Sequence, residues 1–294
     1  MSAKRRRDED EAPESIEQRL VNLIVRIGDK QTDSLQSNLS ALVALLANEL
    51  VAHEQLVIET IFDSVRALQP KASVYGTLVA LLSLEQPHFG VEVVHKLSTS
   101  LQDALDDHAP LSIRGLVRFA IELMNAQLVS ADSAIAMLEA LLATKGETQA
   151  LPARSEWFAT LVLDALVMGG SELNAHEAKR MSGLLSDLHD FAAARKLVKL
   201  PNLLLPYGEQ TRPEEVVEQF DALWQMVSAC SEGGSWSVPC VLSPWRSFSE
   251  ELSSAQSISL EILTVPTHTT GCTYPSLRRI RLFEDGAEGA ADAQ

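Results

Sequence analysis

Residues 16–50 read IEQRLVNLIVRIGDKQTDSLQSNLSALVALLANEL, and the spacing of the apolar residues in this stretch decides the fold. Ile16, Leu20, Leu23, Ile24 and Ile27 fall at i, i+4, i+7, i+8 and i+11, which is one stripe of an α-helix, and Gly28 stands where that helix should stop. Leu35, Leu39, Leu42, Val43, Leu46 and Leu50 form a second stripe, with Asp33 and Ser34 available as caps. Two one-sided helices joined by a short polar turn make a hairpin, because each needs the other to cover its apolar face.

The same texture continues down the chain. Helical stripes are expected over about 53–68 (Leu56, Val57, Ile61, Phe62, Val65), 72–84 (Val74, Tyr75, Leu78, Val79, Leu82), 89–105 (Val93, Val94, Leu97, Leu101) and 111–127 (Leu116, Val117, Ala120, Leu123, Met124). A seventh follows Ser130 (Ile135, Leu138, Leu141, Leu142), and an eighth starts at Pro152, a favoured first-turn residue. Gly169-Gly170 is expected to break the eighth, with a ninth helix over about 171–198. The odd-numbered helices then begin near residues 15, 53, 89, 130 and 171, steps of 38, 36, 41 and 41. Steps of about 40 residues are the spacing of stacked helical hairpins. The expected architecture is an all-α, HEAT-like α-solenoid. A length of 294 residues would also suit two domains, but in a solenoid each hairpin buries its face only against its neighbours, which makes one continuous body.

Beyond Leu200 the pattern loosens. Pro201, Pro206 and Pro213 punctuate a loop, one further helix is expected over about 213–229, and a short helix around Trp245–Leu252 precedes an extended stretch at Ile262–Pro266. The chain therefore divides into a disordered charged tail at 1–14, a helical domain at 15–230, a loop-rich extension at 231–285 and a disordered tail at 286–294, GAEGAADAQ.

With 46% apolar and 22% charged residues the body can bury a core, which excludes wholesale disorder. The formal charge is −16, and setting aside Lys4, Arg5, Arg6 and Arg7 leaves residues 8–294 at −20. A phosphate backbone would be repelled by such a body, so direct, unspecific nucleic-acid binding is not expected. The run Lys4–Arg7 has the composition of a nuclear import signal, or simply of a solvating terminus. Three cysteines, Cys230, Cys240 and Cys272, without a CxxC pair or a secretory leader, do not suggest a disulfide scaffold. No uninterrupted apolar run reaches the ~18 residues of a membrane span, so no membrane partner is expected.

Chemistry is sparse. The phosphate-binding and nucleophile-elbow patterns G-x-G-x-x-G, G-x-x-x-x-G-K-[ST] and G-x-S-x-G are missing. His53-Glu54 and His176-Glu177 start like a metalloprotease motif, but the positions four on from the histidines are Val57 and Arg180. His268 and Cys272 sit in Pro/Thr/Gly-rich backbone unsuited to a helical metal pair, and neither Cys230 nor Cys240 has a nearby base to lower its thiol pKa. Asp106-Asp107 and Glu214-Glu215 fall at helix ends, Glu214-Glu215 in a first turn where the helix dipole favours carboxylates. Trp157, Trp224 and Trp245 lie in or beside apolar stripes and read as core. Arg114 and Arg118, one turn apart, are expected to pair with Glu122 on a solvated face. No catalytic, cofactor or metal residue is expected, and an enzyme in the loop-rich region lacks an assembled base, nucleophile and anion donor.

Five stretches carry a family resemblance: IGDKQTDSLQSNLSAL (Ile27–Leu42), VYGTLVALLSLEQPHFGVEVV (Val74–Val94), LVRFAIELMNAQLVSADSAIAMLE (Leu116–Glu139), EWFATLVLDAL (Glu156–Leu166) and VPTHTTGCTYPSLRRIRLFED (Val265–Asp285). They resemble, in order, the first middle-domain unit of the large subunit of the nuclear cap-binding complex, a HEAT-like fold shared with translation initiation factor 4G. Ser34-Leu35-x-Ser37-Asn38-Leu39 and Pro266-x-His268-Thr269…Tyr274-Pro275 are the most distinctive parts. The resemblance implies a non-enzymatic nuclear scaffold that shuttles to the cytoplasm and needs no cofactor. It would support a small RNA-recognition-motif subunit that holds the cap, meet capped RNA only through that complex, and recruit splicing, export and decay factors. It also favours the import reading of Lys4, Arg5, Arg6 and Arg7, although Asp8–Glu11 stand where the family commonly has a second basic cluster. The family's large subunit has three such units, of which this chain matches about the first third. The acidic body would suit basic RNA-processing and export adaptors. The alternative is a generic middle-domain adaptor in cytoplasmic translation or mRNA decay.

Overall fold

The computed structural model describes residues 15–29, 34–147, 152–195, 219–236, 238, 241–261, 263–267, 280–285 and 289–293. The helices are α1 (Ile16–Arg26), α2 (Leu35–Ala67), α3 (Ala72–Glu85), α4 (Pro87–Asp106), α5 (Pro110–Asn125), α6 (Ala131–Leu142), α7 (Pro152–His176), α8 (Ala178–Ala194), α9 (Gln219–Gly233) and the single turn α10 (Ser249–Leu252). They pack as successive hairpins into an α-solenoid of the expected HEAT-like kind. One apolar core runs through it, from Leu20 and Ile24 of α1 to Phe220 and Val227 of α9.

Local chemistry sets most boundaries. Ser15, Ser34 and Ser130 cap α1, α2 and α6, their side chains accepting from the backbone N–H of Gln18, Ser37 and Ser133. Pro87, Pro110 and Pro152 occupy first turns, where a missing N–H costs nothing. Gly28 ends α1 at φ +80°, as expected. The ends of α4 and α5 use His108 (φ 50°) and Gln127 (φ 63°) in the left-handed region, and the following amides return to the helix, Ala109 N–H to Ala104 O and Leu128 N–H to Leu123 O, each at 2.9 Å. Those two bonds close the corners in the manner of a Schellman motif without its glycine.

Two boundaries differ from expectation. The helices expected at 34–50 and 53–68 are one continuous α2, bent where His53 leaves helical geometry (φ −129°, ψ 21°). By length and composition α2 would reach across a bilayer. Its stripe Leu39, Leu42, Leu46 and Leu50 is instead buried in the core, and Glu49, His53 and Glu54 interrupt it. Gly169-Gly170 does not break the eighth helix: α7 runs through both, and the next helix starts at Ala178. Glycine is there for space. A Cβ on Gly169 would lie 2.5 Å from Ile121 of α5, and one on Gly170 would lie 2.2 Å from the Trp236 ring.

The charged contacts report the repeat. Lys71 pairs with Asp29, Lys96 with Glu59, Arg118 with Asp164, and Arg180 with Glu139, at sequence separations of 42, 37, 46 and 41. Lys145 reaches Asp187, 42 residues on, with Nζ 2.6 Å from the carboxylate. These are the unit length read from the apolar stripes, now seen as bridges from one hairpin to the next.

After α9 the chain turns back over the solenoid. A 3-10 turn at Pro244–Phe248 leads into α10, Gln36 Nε2 donates to Ser247 O at 3.3 Å, and Phe248 and Leu252 are buried. Ile258 N–H donates to Leu128 O and its carbonyl accepts from Ser130 N–H, clamping the extension to the α5–α6 corner. Along α4, Gln102 exchanges two hydrogen bonds with the Thr264 backbone at 2.8 and 2.9 Å, and Ser98 Oγ accepts from Glu261 N–H. Ile280–Asp285 (β1) pairs antiparallel with Gly289–Ala293 (β2). Residues 1–14 and 196–218, and with them Lys4–Arg7 and Glu214-Glu215, lie outside the described residues, as do Cys240, Ile262, His268 and Cys272.

Replacing Gly170 by Val is expected to push Trp236 off α7, red-shifting tryptophan emission and lowering stability by about 1–3 kcal/mol. Fluorescence and urea unfolding check this; an unshifted emission would mean that Trp236 does not depend on that contact.

Candidate functional site

The residues flagged for chemistry are distributed along helix faces. His53 Nε2 is 4.0 Å from Glu49, and His88 lies 3.6 Å from Glu54 and 3.8 Å from Glu92. His176 lies 3.8 Å from Glu172, one turn back on α7. These are surface pairs, and among the described residues no three His, Cys, Asp or Glu side chains come close enough to hold a metal ion. Asp106 accepts from Gln102 Nε2, and Asp107 closes the end of α4. Cys230 is half-buried on α9 with a free thiol.

Trp157 is buried in the core, edge-on to Phe158 at 5.0 Å. Trp224 is half-buried against His189, and Trp245 lies under Arg246 at 5.2 Å. Trp236, two residues past Gly233-Gly234, packs over Gly170 of α7, a contact that no local pattern signals.

The expected pairing of Arg114 and Arg118 with Glu122 is not what forms. Arg118 makes a two-pronged contact with Asp164 of α7, at 2.7 and 2.9 Å, and Arg114 approaches the same carboxylate at 3.5 Å. The reason is the crossing of α5 over α7, which brings Asp164 to the arginines while Glu122 turns inward. Glu122 is 3% exposed, wedged beneath Gly76 of α3, with Asn125 Nδ2 donating to it at 3.1 Å. Burial pushes its carboxyl up to about 7 from the ordinary 4.5; the Asn125 hydrogen bond and the Arg118 charge oppose this and are the weaker influences.

Buried arginines fasten the far end. Arg154, at the start of α7, is 1% exposed, grips Glu147 with two hydrogen bonds of 2.9 Å, lies 5.0 Å over Phe158 and donates to Pro266 O at 2.7 Å. It thereby holds the first residues of the Pro266–Pro275 motif against the body. Arg195, after α8, pairs with Asp221 of α9 at 3.0 Å and Glu156 of α7 at 3.7 Å, with the Phe220 ring beneath it. Buried pairs of this kind fix which neighbours meet more than they add net stability.

With the hairpin stack, its inter-unit ion pairs and the returning extension described, comparison with known proteins names the family. The MIF4G domain matches residues 17–207. The chain belongs to the MIF4G family. It is also similar to proteins named nuclear cap-binding protein subunit 1: 32% identical over 98% of the chain to that of Salmo salar, 32% over 94% to subunit 1-A of Xenopus laevis, and 28% over 97% to that of Homo sapiens. The chain spans little more than a third of the length of these curated relatives, 35–36%, and fits an N-terminal portion of them.

Because Glu122 is more basic folded than unfolded, its protonated form favours the fold below about pH 4.5, and that contribution is lost as pH rises through about 7. Glu122→Gln is expected to flatten this dependence, so that wild type loses about 3 kcal/mol relative to the variant between pH 4.5 and 8. Urea unfolding of both proteins across that range measures it; a pH-independent difference would show that Glu122 does not titrate there.

Proposed function

We propose that this chain is a non-enzymatic scaffold unit of a nuclear cap-binding complex, working beside a small RNA-recognition-motif subunit that binds the capped 5′ end. The observation that carries the reading is the similarity to nuclear cap-binding protein subunit 1, which runs over 98% of the chain rather than over the helical domain alone. The extension that clamps onto α4 and the α5–α6 corner is included in that span. A match confined to the MIF4G domain would fit a cytoplasmic translation or decay adaptor equally well.

Charge supports a protein-binding role. The body at −20 disfavours phosphate and favours basic partners such as splicing, export and decay adaptors, whose approach it would steer. Inter-hairpin bridges engage Lys71, Lys96, Arg118, Lys145 and Arg180, which leaves little basic surface on those units for RNA. In this reading capped RNA is met through the complex, and Lys4, Arg5, Arg6 and Arg7 act as the import address of a nuclear protein that shuttles.

Two experiments test this. Purified chain alone should be retained on cap-analogue resin no better than on uncapped resin, while chain recovered from nuclear extract brings a small RNA-recognition-motif protein with it; cap-dependent retention of the isolated chain would overturn the scaffold reading. Removing Lys4–Arg7 from a fluorescent fusion should shift it from nucleus to cytoplasm. A fusion excluded from the nucleus both before and after would favour the cytoplasmic adaptor.

A further inference from the structure

The first hairpin has an open side. Leu20 and Ile24 turn into the core, while the flank of α1 beside them and the adjoining face of α2 form a groove of about 550 Å³. Its floor includes Ala41, Leu42, Leu23 and Leu45, and Leu23 and Leu45 remain 41% and 40% exposed. Arg19 and Arg26 stand along its α1 edge, seven residues apart, or about 10 Å along the helix axis. The groove presents leucines beside two arginines, and Asp29, which also lines it, is bridged to Lys71.

We propose that the α1–α2 groove binds an amphipathic helix of a partner protein, with leucine-type side chains on Leu23 and Leu45 and carboxylates two turns apart meeting Arg19 and Arg26. Charge selects this occupant. Neither arginine has an ion-pair partner among the described residues, in a body at −20 where Lys71, Lys96, Arg118 and Arg180 are all bridged. A basic helix would meet the two arginines as like charges. A second copy docking face to face would set the same arginines against each other. The chain's own residues 8–11, Asp-Glu-Asp-Glu, have the charge but no apolar side chain for the leucine floor. The site is independent of the cap-binding reading, since it rests on the first hairpin alone.

The test uses the full chain and two fluorescein-labelled 18-residue helical peptides with leucines at i, i+3, i+7, one carrying glutamates two turns apart, the other lysines at the same positions. Fluorescence anisotropy should show the glutamate peptide binding about ten-fold more tightly, the size of two partly exposed charge pairs. Arg19→Glu with Arg26→Glu should reverse the preference, and Leu23→Asp should remove binding of both peptides, with helix content by circular dichroism unchanged. Equal affinity for the two peptides, or a preference untouched by the arginine reversal, would overturn the proposal. So would a dimer in sedimentation that Leu23→Asp dissolves, which assigns the groove to a second copy. Tighter peptide binding after deletion of residues 1–14 would assign it to the chain's own terminus and overturn it equally.

Discussion

The solenoid depends on how closely α5 approaches its neighbours. Glycine stands at three of its crossings: Gly115 of α5 faces the Val65 carbonyl of α2, where a Cβ would sit at 3.0 Å; Gly76 of α3 faces Glu122 at the same distance; and Gly169 of α7 faces Ile121 at 2.5 Å. A glycine inside a helix costs roughly 1 kcal/mol against alanine. Here the missing side chains let backbones approach, and α5 is buried over nearly its whole length as a result. The hairpins on either side are positioned by that central helix.

Close approach also explains the polar interior. Glu122 and Asn125 lie in these crossings, Asn125 Nδ2 reaching both the Glu122 carboxylate and the Met168 carbonyl of α7. The carboxylate is displaced from the surface position its spacing suggests, and Arg118 turns across to Asp164 instead. Arg154 and Arg195 play the same part at the far end, where each ties segments distant in sequence, Glu147 to Pro266 and Asp221 to Glu156. These paired charges hold successive units in one relative orientation.

Much of the fold was legible in the order of residues. Helix stripes, serine caps, first-turn prolines and the forty-residue step are local or periodic signals, each with a near neighbour as its cause. The corners at His108 and Gln127 were not legible, because left-handed residues other than glycine depend on hydrogen bonds back to the preceding helix. The groove on the first hairpin was half visible: the stripe Ile16–Ile27 includes Leu23, but nothing in the spacing says that Leu23, like Ile16, is left uncovered while Leu20, Ile24 and Ile27 are buried.

By itself, then, the chain's order determined most of the helices, their repeat and the acidic body, since these follow from side-chain periodicity and composition; the family likeness rests on particular residue strings such as Ser34–Leu39. Tertiary structure alone decided that Gly169-Gly170 continues a helix, that His53 bends one rather than separating two, that Glu122 is buried, and that the extension folds back onto α4. For the glycines, Glu122 and the extension the deciding atom belongs to a residue far away in sequence: Ile121 and Trp236 for the glycines, Gly76 for Glu122, and Gln102 for Thr264. Periodicity reports which face of a helix is apolar, and only the packed neighbour determines how near that face is approached.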